Sequence, residues 1–363
     1  MDAFNSVDKQ YIARCLQLAR CGRGSTSPNP MVGAVVVCDG RIIGEGYHIR
    51  AGEPHAEVNA INSVKDADKA LLARSTIYVS LEPCSHYGKT PPCCDLIIEC
   101  KIPRVVIAAT DLNEQVNGAG IERMRKAGVE VVTGVLADEA YKLNENFFTL
   151  HTMARPHITL KWAQTADGFI DRRRKAASDG APLAISTPLT LVAMHRLRAG
   201  CDAILVGART ALLDNPSLTL RQWGGRNPLR LVLDREGVLP TSLRLFDSSA
   251  PTIVYTYRPE AGKFGENIEQ IKLDEDAEVL PQILAHLAAL KINSLLVEGG
   301  ARLLRLFLEA NLWDTIRVER NNSLTIGEGV AAPSLPKGTH PSVTMCDNNE
   351  IFLVRAIKNP KLL

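Results

Sequence analysis

No stretch of this sequence is apolar for long enough to cross a bilayer, and the opening residues Met1-Asp2-Ala3-Phe4-Asn5-Ser6 form neither a basic nor an apolar segment. A membrane partner and a secretory leader are therefore not expected. Aromatic residues are scarce, at 5%, and neither sign of charge prevails, with 42 basic side chains against 40 acidic ones. A nucleic-acid binder draws on a basic surface, and one that handles extruded bases also needs aromatic platforms. Nucleic acid is accordingly not an expected partner. Internal repeats and low-complexity tracts are lacking too. The nine cysteines are odd in number and scattered. Without a secretory context that pattern argues against a disulfide framework and for reduced thiols, some of them on a metal, in the cytoplasm.

What is present describes a globular enzyme. The 363 residues are 45% hydrophobic and 23% charged, too long a chain for one ordinary core, so two domains are expected. A helix face recurs at Ile12, Cys15, Leu16 and Ala19, with Ser6 or Asp8 as its cap. Two β-branched runs, 32–37 and 41–43, flank Asp39-Gly40, a two-residue hairpin signal. Strand-like runs follow at 76–81, 104–109 and 130–133, separated by helical stretches at 56–64, 94–99 and 118–127. This predicts an α/β layer with helices on both faces. The helical run through 141–150 should stop before Arg155-Pro156, because a proline disfavours helix in the residue it follows. The cut gives a first domain of 1–152 and a second of 153–363. In the second, strands at 157–162, 203–206, 229–233, 252–255 and 294–298 alternate with helices at 187–199, 279–290 and 302–310.

Chemistry concentrates in His55-Ala56-Glu57, Pro83-Cys84 and Pro91-Pro92-Cys93. A catalytic zinc takes three protein ligands, commonly His and Cys, and keeps a fourth position for water, whose pKa it lowers towards 7. Glu57 stands two residues from the imidazole, within reach of that water without ligating the metal, and can carry protons to a leaving amine. His-x-Glu followed by Pro-Cys and a further Cys is the pattern of zinc nucleobase deaminases. The ligand groups fall at helix starts, where the dipole favours thiolate. Cys93 and Cys94 are adjacent and either could ligate; Cys93 follows the two prolines directly and is preferred. His86 or Cys94 as a fourth ligand would instead make a closed, structural site.

Ser27-Pro28-Asn29-Pro30-Met31-Val32-Gly33, Gly46-Tyr47-His48, Gly52-Glu53-Pro54-His55-Ala56-Glu57 and the run from Leu81-Glu82-Pro83-Cys84 through Gly88-Lys89-Thr90 to Cys93 resemble the deaminase half of the bifunctional riboflavin-biosynthesis deaminase/reductases. The long interval between Cys84 and Cys93 is the feature most particular to that family. The resemblance implies an N-terminal cytidine-deaminase-like α/β/α sandwich, with His55, Cys84 and Cys93 on zinc and Glu57 as proton shuttle. It further implies a pyrimidine nucleotide substrate, a diaminopyrimidinone carrying a ribosylamino phosphate, whose amino group leaves as ammonia. Asn29, His48, His86 and Lys89 would line that pocket.

In the second half, Ser294-Leu295-Leu296-Val297-Glu298-Gly299-Gly300-Ala301 reads as strand, glycine turn and helix, a place for a phosphate. The strand in Asp202–Thr210 ends in glycine and leads to a loop bearing hydroxyl, acidic and basic groups. No Gly-x-Gly-x-x-Gly fingerprint is found, which argues against an ordinary Rossmann domain. These pieces resemble the reductase half of the same family, a dihydrofolate-reductase-like α/β domain using NADPH. By that resemblance Ala163, Thr210, Asp214 and the turn Gly300-Ala301-Arg302-Leu303-Leu304-Arg305-Leu306 would contact NADPH, and Arg198, Leu218, Arg221 and Glu298 the substrate. The chain departs from the family pattern in three places. Thr165-Ala166-Asp167-Gly168 stands for Ser-Leu-Asp-Gly, and Pro182-Leu183-Ala184-Ile185 for Ser-x-Trp-Ile, losing a tryptophan packed near the cofactor. Arg320-Asn321-Asn322-Ser323 stands where Ala-Pro is expected. A two-step enzyme is the leading expectation; a polynucleotide deaminase and a zinc-stabilised binding module are the alternatives. A homo-oligomer is expected, since an apolar helix face on the second domain could bury a second copy.

Overall fold

The computed structural model describes residues 5–87, 91–112 and 118–356. The chain divides into two compact units between Ala154 and Arg155.

The first unit runs α1 (Ser6–Ala19), β1 (Gly33–Cys38), β2 (Arg41–Tyr47), α2 (Ala56–Asn62), β3 (Thr76–Leu81), α3 (Cys93–Glu99), β4 (Arg104–Ala109), α4 (Ala119–Lys126), β5 (Glu130–Thr133), α5 (Ala137–Leu143) and α6 (Glu145–Met153). The sheet order is β2-β1-β3-β4-β5, antiparallel across β2, β1 and β3 and parallel from β3 to β5. Alternation along the strands divides the core in two. Val36, Ile77, Val79, Val105 and Ile107 face α2, α3 and α4, while Val35, Tyr78, Val106 and Ala108 face α1, α5 and α6. This is an α/β/α sandwich. Asp39 and Gly40 both take positive φ, 51° and 74°, in the hairpin turn. The cap of α1 is neither Ser6 nor Asp8 but Asn5, whose side chain accepts from the Val7 N–H at 3.1 Å. Asp8 instead is buried, taking both arms of Arg104 at 3.0 and 2.9 Å and the Tyr78 hydroxyl at 3.0 Å.

Glycine sets the spacing between α2 and the sheet. A Cβ on Gly46 would lie 2.4 Å from the Ala60 nitrogen, and one on Gly44 2.4 Å from the Ala60 oxygen. Only hydrogen fits there, so the backbone of α2 rests directly on β2.

The second unit comprises β6 (His157–Thr165), β7 (Phe169–Asp171), α7 (Pro188–Ala199), β8 (Ala203–Gly207), α8 (Ala208–Asp214), β9 (Leu229–Leu233), β10 (Thr252–Thr256), β11 (Ile268–Lys272), α9 (Val279–Ala289), β12 (Ser294–Val297), α10 (Ala301–Glu309), β13 (Thr315–Asn321), β14 (Val330–Ala331), β15 (Ser342–Cys346) and β16 (Asn349–Arg355). Its main sheet is ordered β11-β10-β9-β8-β12-β6-β13-β16-β15. The seven strands from β11 to β13 are parallel, and β16 and β15 close the edge antiparallel. One face packs on α9 and α10 through Leu160, Leu205, Leu295, Ile283 and Phe307. The opposite face carries Ile204, Val206, Val232 and Leu296 against Ala211 of α8 and Leu197 of α7. The segment after β8, expected as a loop, is the helix α8. Strands β7, β11, β13, β14, β15 and β16 are additions to the sequence reading.

Candidate active sites

In the first unit, α2 begins at His55, its N-cap residue, with Glu57 in the first turn. Cys84 lies just beyond β3, and Cys93 opens α3 after Pro92. His55 Nδ1 lies 3.5 Å from Cys84 Sγ and 3.4 Å from Cys93 Sγ. The three donor atoms all fall within 4.8 Å of one another. Nitrogen at about 2.0–2.1 Å and sulfur at about 2.3 Å on a tetrahedral zinc stand roughly 3.5 Å apart, so the donor set fits that ion. The Cys93 N–H donates to Cys84 Sγ at 3.3 Å, an amide already aimed at a thiolate. Proximity to Cys93 pulls the Cys84 thiol down to about 4 and drives Cys93 up, since two neighbouring thiols resist double ionisation. A dication between them removes the conflict. Glu57 is 3% exposed, and burial pushes its carboxyl up to about 7, opposed by His55.

Cys94 turns away into the hydrophobic core, and the exposed His86 is not among the grouped donors. His48 is buried beside His55, ring centroids 5.5 Å apart. Asn29 Nδ2 meets His48 Nε2 at 3.1 Å, and His48 Nδ1 meets the Pro54 carbonyl at 3.1 Å. An amide nitrogen only donates, so Nε2 accepts and the proton sits on Nδ1. Burial, which lowers the His48 pKa, agrees with this neutral ring. Lys89 lies outside the described residues. Sequence reasoning passed over Glu82 as a site residue. Its buried carboxylate accepts from the N–H groups of Asp111, Gly118, Gly120 and Ile121 at 3.1–3.4 Å, which ties the turn before Cys84 to the start of α4.

In the second unit, Gly299 and Gly300 follow β12, and Gly300 has φ 62°. A Cβ there would meet Thr210 Oγ1 at 3.0 Å, so Thr210 of α8 and the glycine turn share one corner. The Leu304 N–H is committed to the Gly300 carbonyl, leaving amides 301–303 as the open first turn of α10. Ala301, Leu303 and Leu304 are buried and Leu306 packs on the same core, while Arg302 and Arg305 are exposed, with Arg305 bonded to the Ala331 carbonyl at 2.7 Å. Asp214 pairs with Arg174, which also holds Asp171 at 2.5 Å and the Leu213 carbonyl at 3.0 Å.

The buried Arg198 and the partly buried Glu298 form a bidentate pair, at 2.8 and 2.6 Å. Against its burial, Arg198 and Lys161 hold the Glu298 carboxyl below the usual range. Leu218 is buried with φ 54°, and the exposed Arg221 bonds Ser217 Oγ at 2.6 Å while its N–H meets His195 Nδ1 at 3.4 Å. Ala163 lies on β6, two residues beyond Lys161, a residue sequence reasoning did not single out. Lys161 is the register partner of Arg317 on β13, and burial lowers the pKa of both cations. Arg317 Nη1 is sealed from solvent without a hydrogen-bond partner. The alternation of β6 places Lys161 on the Ala163 face, a signal available in sequence once that strand was assigned.

Comparison with known proteins accounts for both units. Residues 5–109 match the cytidine and deoxycytidylate deaminase zinc-binding region, and residues 156–350 match the RibD C-terminal domain. The riboflavin biosynthesis protein RibD of Aquifex aeolicus is 42% identical over 91% of this chain and 90% of its own length. That of Escherichia coli is 37% identical over 86% of each. A solved deaminase/reductase from Thermotoga maritima superposes with a TM-score of 0.86 at 39% identity, covering 96% of this chain and 98% of that one. RibD of Acinetobacter baumannii gives a TM-score of 0.86 at 28% identity, covering 97% and 99%. With a zinc-type deaminase unit and a reductase unit on one polypeptide, and relatives aligned along nearly all of it, the chain belongs to the RibD family of bifunctional deaminase/reductases of riboflavin biosynthesis.

Proposed function

We propose that His55, Cys84 and Cys93 hold zinc, that Glu57 moves the protons of a hydrolytic deamination, and that the second unit then reduces the product with NADPH. The supporting observation is the convergence of one imidazole nitrogen and two sulfurs from three separate stretches of chain, two residues from a buried carboxylate. The Thermotoga relative is titled a diaminohydroxyphosphoribosylaminopyrimidine deaminase/5-amino-6-(5-phosphoribosylamino)uracil reductase; the same substrates are assigned here.

Zinc, when bound, supplies Lewis acidity and a water of lowered pKa. With zinc held by His55, Cys84 and Cys93, Glu57 would pass one proton from water to the ring nitrogen and carry a second, from the hydroxyl so added, to the amine that leaves as ammonia, a role suited to a carboxyl whose pKa burial brings near neutrality. Asn29 keeps its amide oxygen for a ring edge, because its nitrogen is engaged by the neutral His48. By resemblance alone, His86 and Lys89 are assigned to the substrate. In the second unit the glycine turn, Thr210, Asp214 and Ala163 position NADPH, and the cofactor carries the hydride. Arg198 has committed its fork to Glu298, so it orients that carboxylate, while Arg221 stays open to a phosphate. Leu218, buried in the core, is assigned to the substrate by resemblance alone.

Residues 1–152 and 153–363 are the two catalytic domains in this reading. The thiolates require a reducing compartment, and the enzyme is assigned to the cytoplasm. A homo-oligomer is part of the same proposal: β15 ends the nine-stranded sheet with Val343 and Met345 exposed, an edge that a second copy would cover.

Glu57→Gln tests the deaminase assignment. Zinc content stays at the wild-type level, ammonia release falls by about 10²–10⁴-fold, and NADPH oxidation on supplied deaminated substrate continues. Ammonia at the wild-type rate from the variant would remove Glu57 from the mechanism.

A further inference from the structure

The segments Pro182-Leu183-Ala184-Ile185 and Arg320-Asn321-Asn322-Ser323 lie far apart in sequence and meet in space. Asn321 Nδ2 donates to the Ile185 carbonyl at 2.9 Å, and Asn349 Nδ2 reaches the same carbonyl at 3.3 Å. Asn349 Nδ2 also donates to Glu319 Oε1 at 2.7 Å, and the Ser186 hydroxyl donates to Glu319 Oε2 at 2.8 Å. Glu319 and Asn349 are 0% exposed. Asn349 makes these bonds at the expense of its own Oδ1, which is buried without a partner.

Register fixes where this cluster lies. Glu319 pairs with Ala163, and Asn321 with Thr165 on β6 and Asn349 on β16. Paired residues share a face of the sheet, so the Glu319 carboxylate rises beside Ala163. Ser186 precedes Thr187, the N-cap of α7, and α7 carries His195 and Arg198. The strap 185–186 is therefore anchored between the Ala163 position and the helix that holds Arg198. A fully buried carboxylate is costly unless its oxygens are matched. Here each oxygen has a designated donor, and Lys161 and Arg317 lie within electrostatic reach.

We infer that Glu319, Asn321 and Asn349 form a clasp that holds Ile185–Ser186 beside Ala163 as a wall of the NADPH cleft. Glu319 is a positioning residue, acting through Ser186. The inference rests on the proposed cofactor role of Ala163.

The test is steady-state NADPH oxidation with the full-length zinc-loaded protein and its Ser186→Ala, Asn321→Ala, Glu319→Gln and Glu319→Ala variants, with ammonia release measured alongside. Ser186→Ala and Asn321→Ala raise the KM for NADPH by about five- to tenfold, the worth of one hydrogen bond to a buried group. Their kcat and their ammonia release change little. Glu319→Gln, which keeps one acceptor, loses less than Glu319→Ala, and adding Ser186→Ala to Glu319→Ala brings no further loss. Unchanged NADPH KM in Ser186→Ala and Asn321→Ala overturns the clasp, as does a fall in melting temperature with no change in KM. A wild-type protein that oxidises no NADPH on deaminated substrate sinks the reductase reading first, and the clasp with it.

Discussion

Replacing Gly46 by alanine should disable deamination without touching any residue that does chemistry. The new Cβ would lie 2.4 Å from the Ala60 nitrogen and 2.7 Å from Asn59, where ordinary contact begins at 3.4 Å. The obstacle is helix backbone, which cannot swing aside as a side chain can. The helix α2 must therefore lift by about 1 Å, taking Glu57, one turn earlier, with it. A 1 Å misplacement of a catalytic group costs about 10²-fold in rate, and overpacking costs about 1–3 kcal/mol of stability. The assay is ammonia release at saturating substrate, with NADPH oxidation on deaminated substrate as the internal control and a thermal melt to confirm folding. Gly44→Ala, whose Cβ meets the Ala60 oxygen at 2.4 Å, should reproduce the effect. If both folded variants released ammonia at the wild-type rate, the claim that glycine spacing places Glu57 would be refuted.

Other expectations can be checked with the same material. Gly300→Asp strains a residue at φ 62°, crowds Thr210 and sets a negative charge on the turn; NADPH affinity drops at least about tenfold, a 1.4 kcal/mol loss, while ammonia release persists. Binding titration decides this, and an unchanged affinity removes Gly300 from the cofactor site. Asp8→Asn lowers stability by about 2 kcal/mol at neutral pH. Arg104 holds the folded-state pKa of Asp8 below its unfolded value, against its burial, so the contribution is full above about pH 4 and vanishes as acid protonates Asp8 in the folded protein. Melting curves of wild type and variant should converge in acid; a constant gap contradicts the linkage. A strong chelator abolishes ammonia release and spares NADPH oxidation, and zinc restores the first; persistence of both activities in metal-free protein refutes the zinc assignment.

The chemistry of the first unit was legible because it is local in sequence. Pro92-Cys93, His55 and Glu57 each announce a helix start, and the strands between them alternate or run apolar as buried parallel strands do. Cys93 against Cys94 was not decidable from position alone. The direction of the helix face settles the geometry, turning Cys94 into the core and Cys93 towards His55. In the second unit β13 escaped because Thr-Ile-Arg-Val-Glu-Arg-Asn carries charges on the face that a buried strand normally keeps apolar. Glu319 is matched by residues distant in sequence, Ser186 and Asn349, and Arg320, on the other face, by Glu350 as well as by its neighbour Asn322. Arg174 escaped although Asp171 lies three residues away, since its second partner Asp214 comes from a different element. The segment after β8 was read as a loop from its polar residues, yet burial of Ala211 against the sheet is enough to fix a short helix.

The donors at His55, Cys84 and Cys93 belong to the start of α2, the end of β3 and the start of α3. An ion shared among them, as proposed, would tie three successive stretches into closed loops and shrink the freedom of the denatured chain as a covalent bridge would. Persistence of the first unit in the cell should therefore follow metal supply: free zinc at about a hundred times its dissociation constant adds roughly 2.7 kcal/mol. Starvation for the ion would deplete the enzyme by unfolding and proteolysis as well as by silencing it.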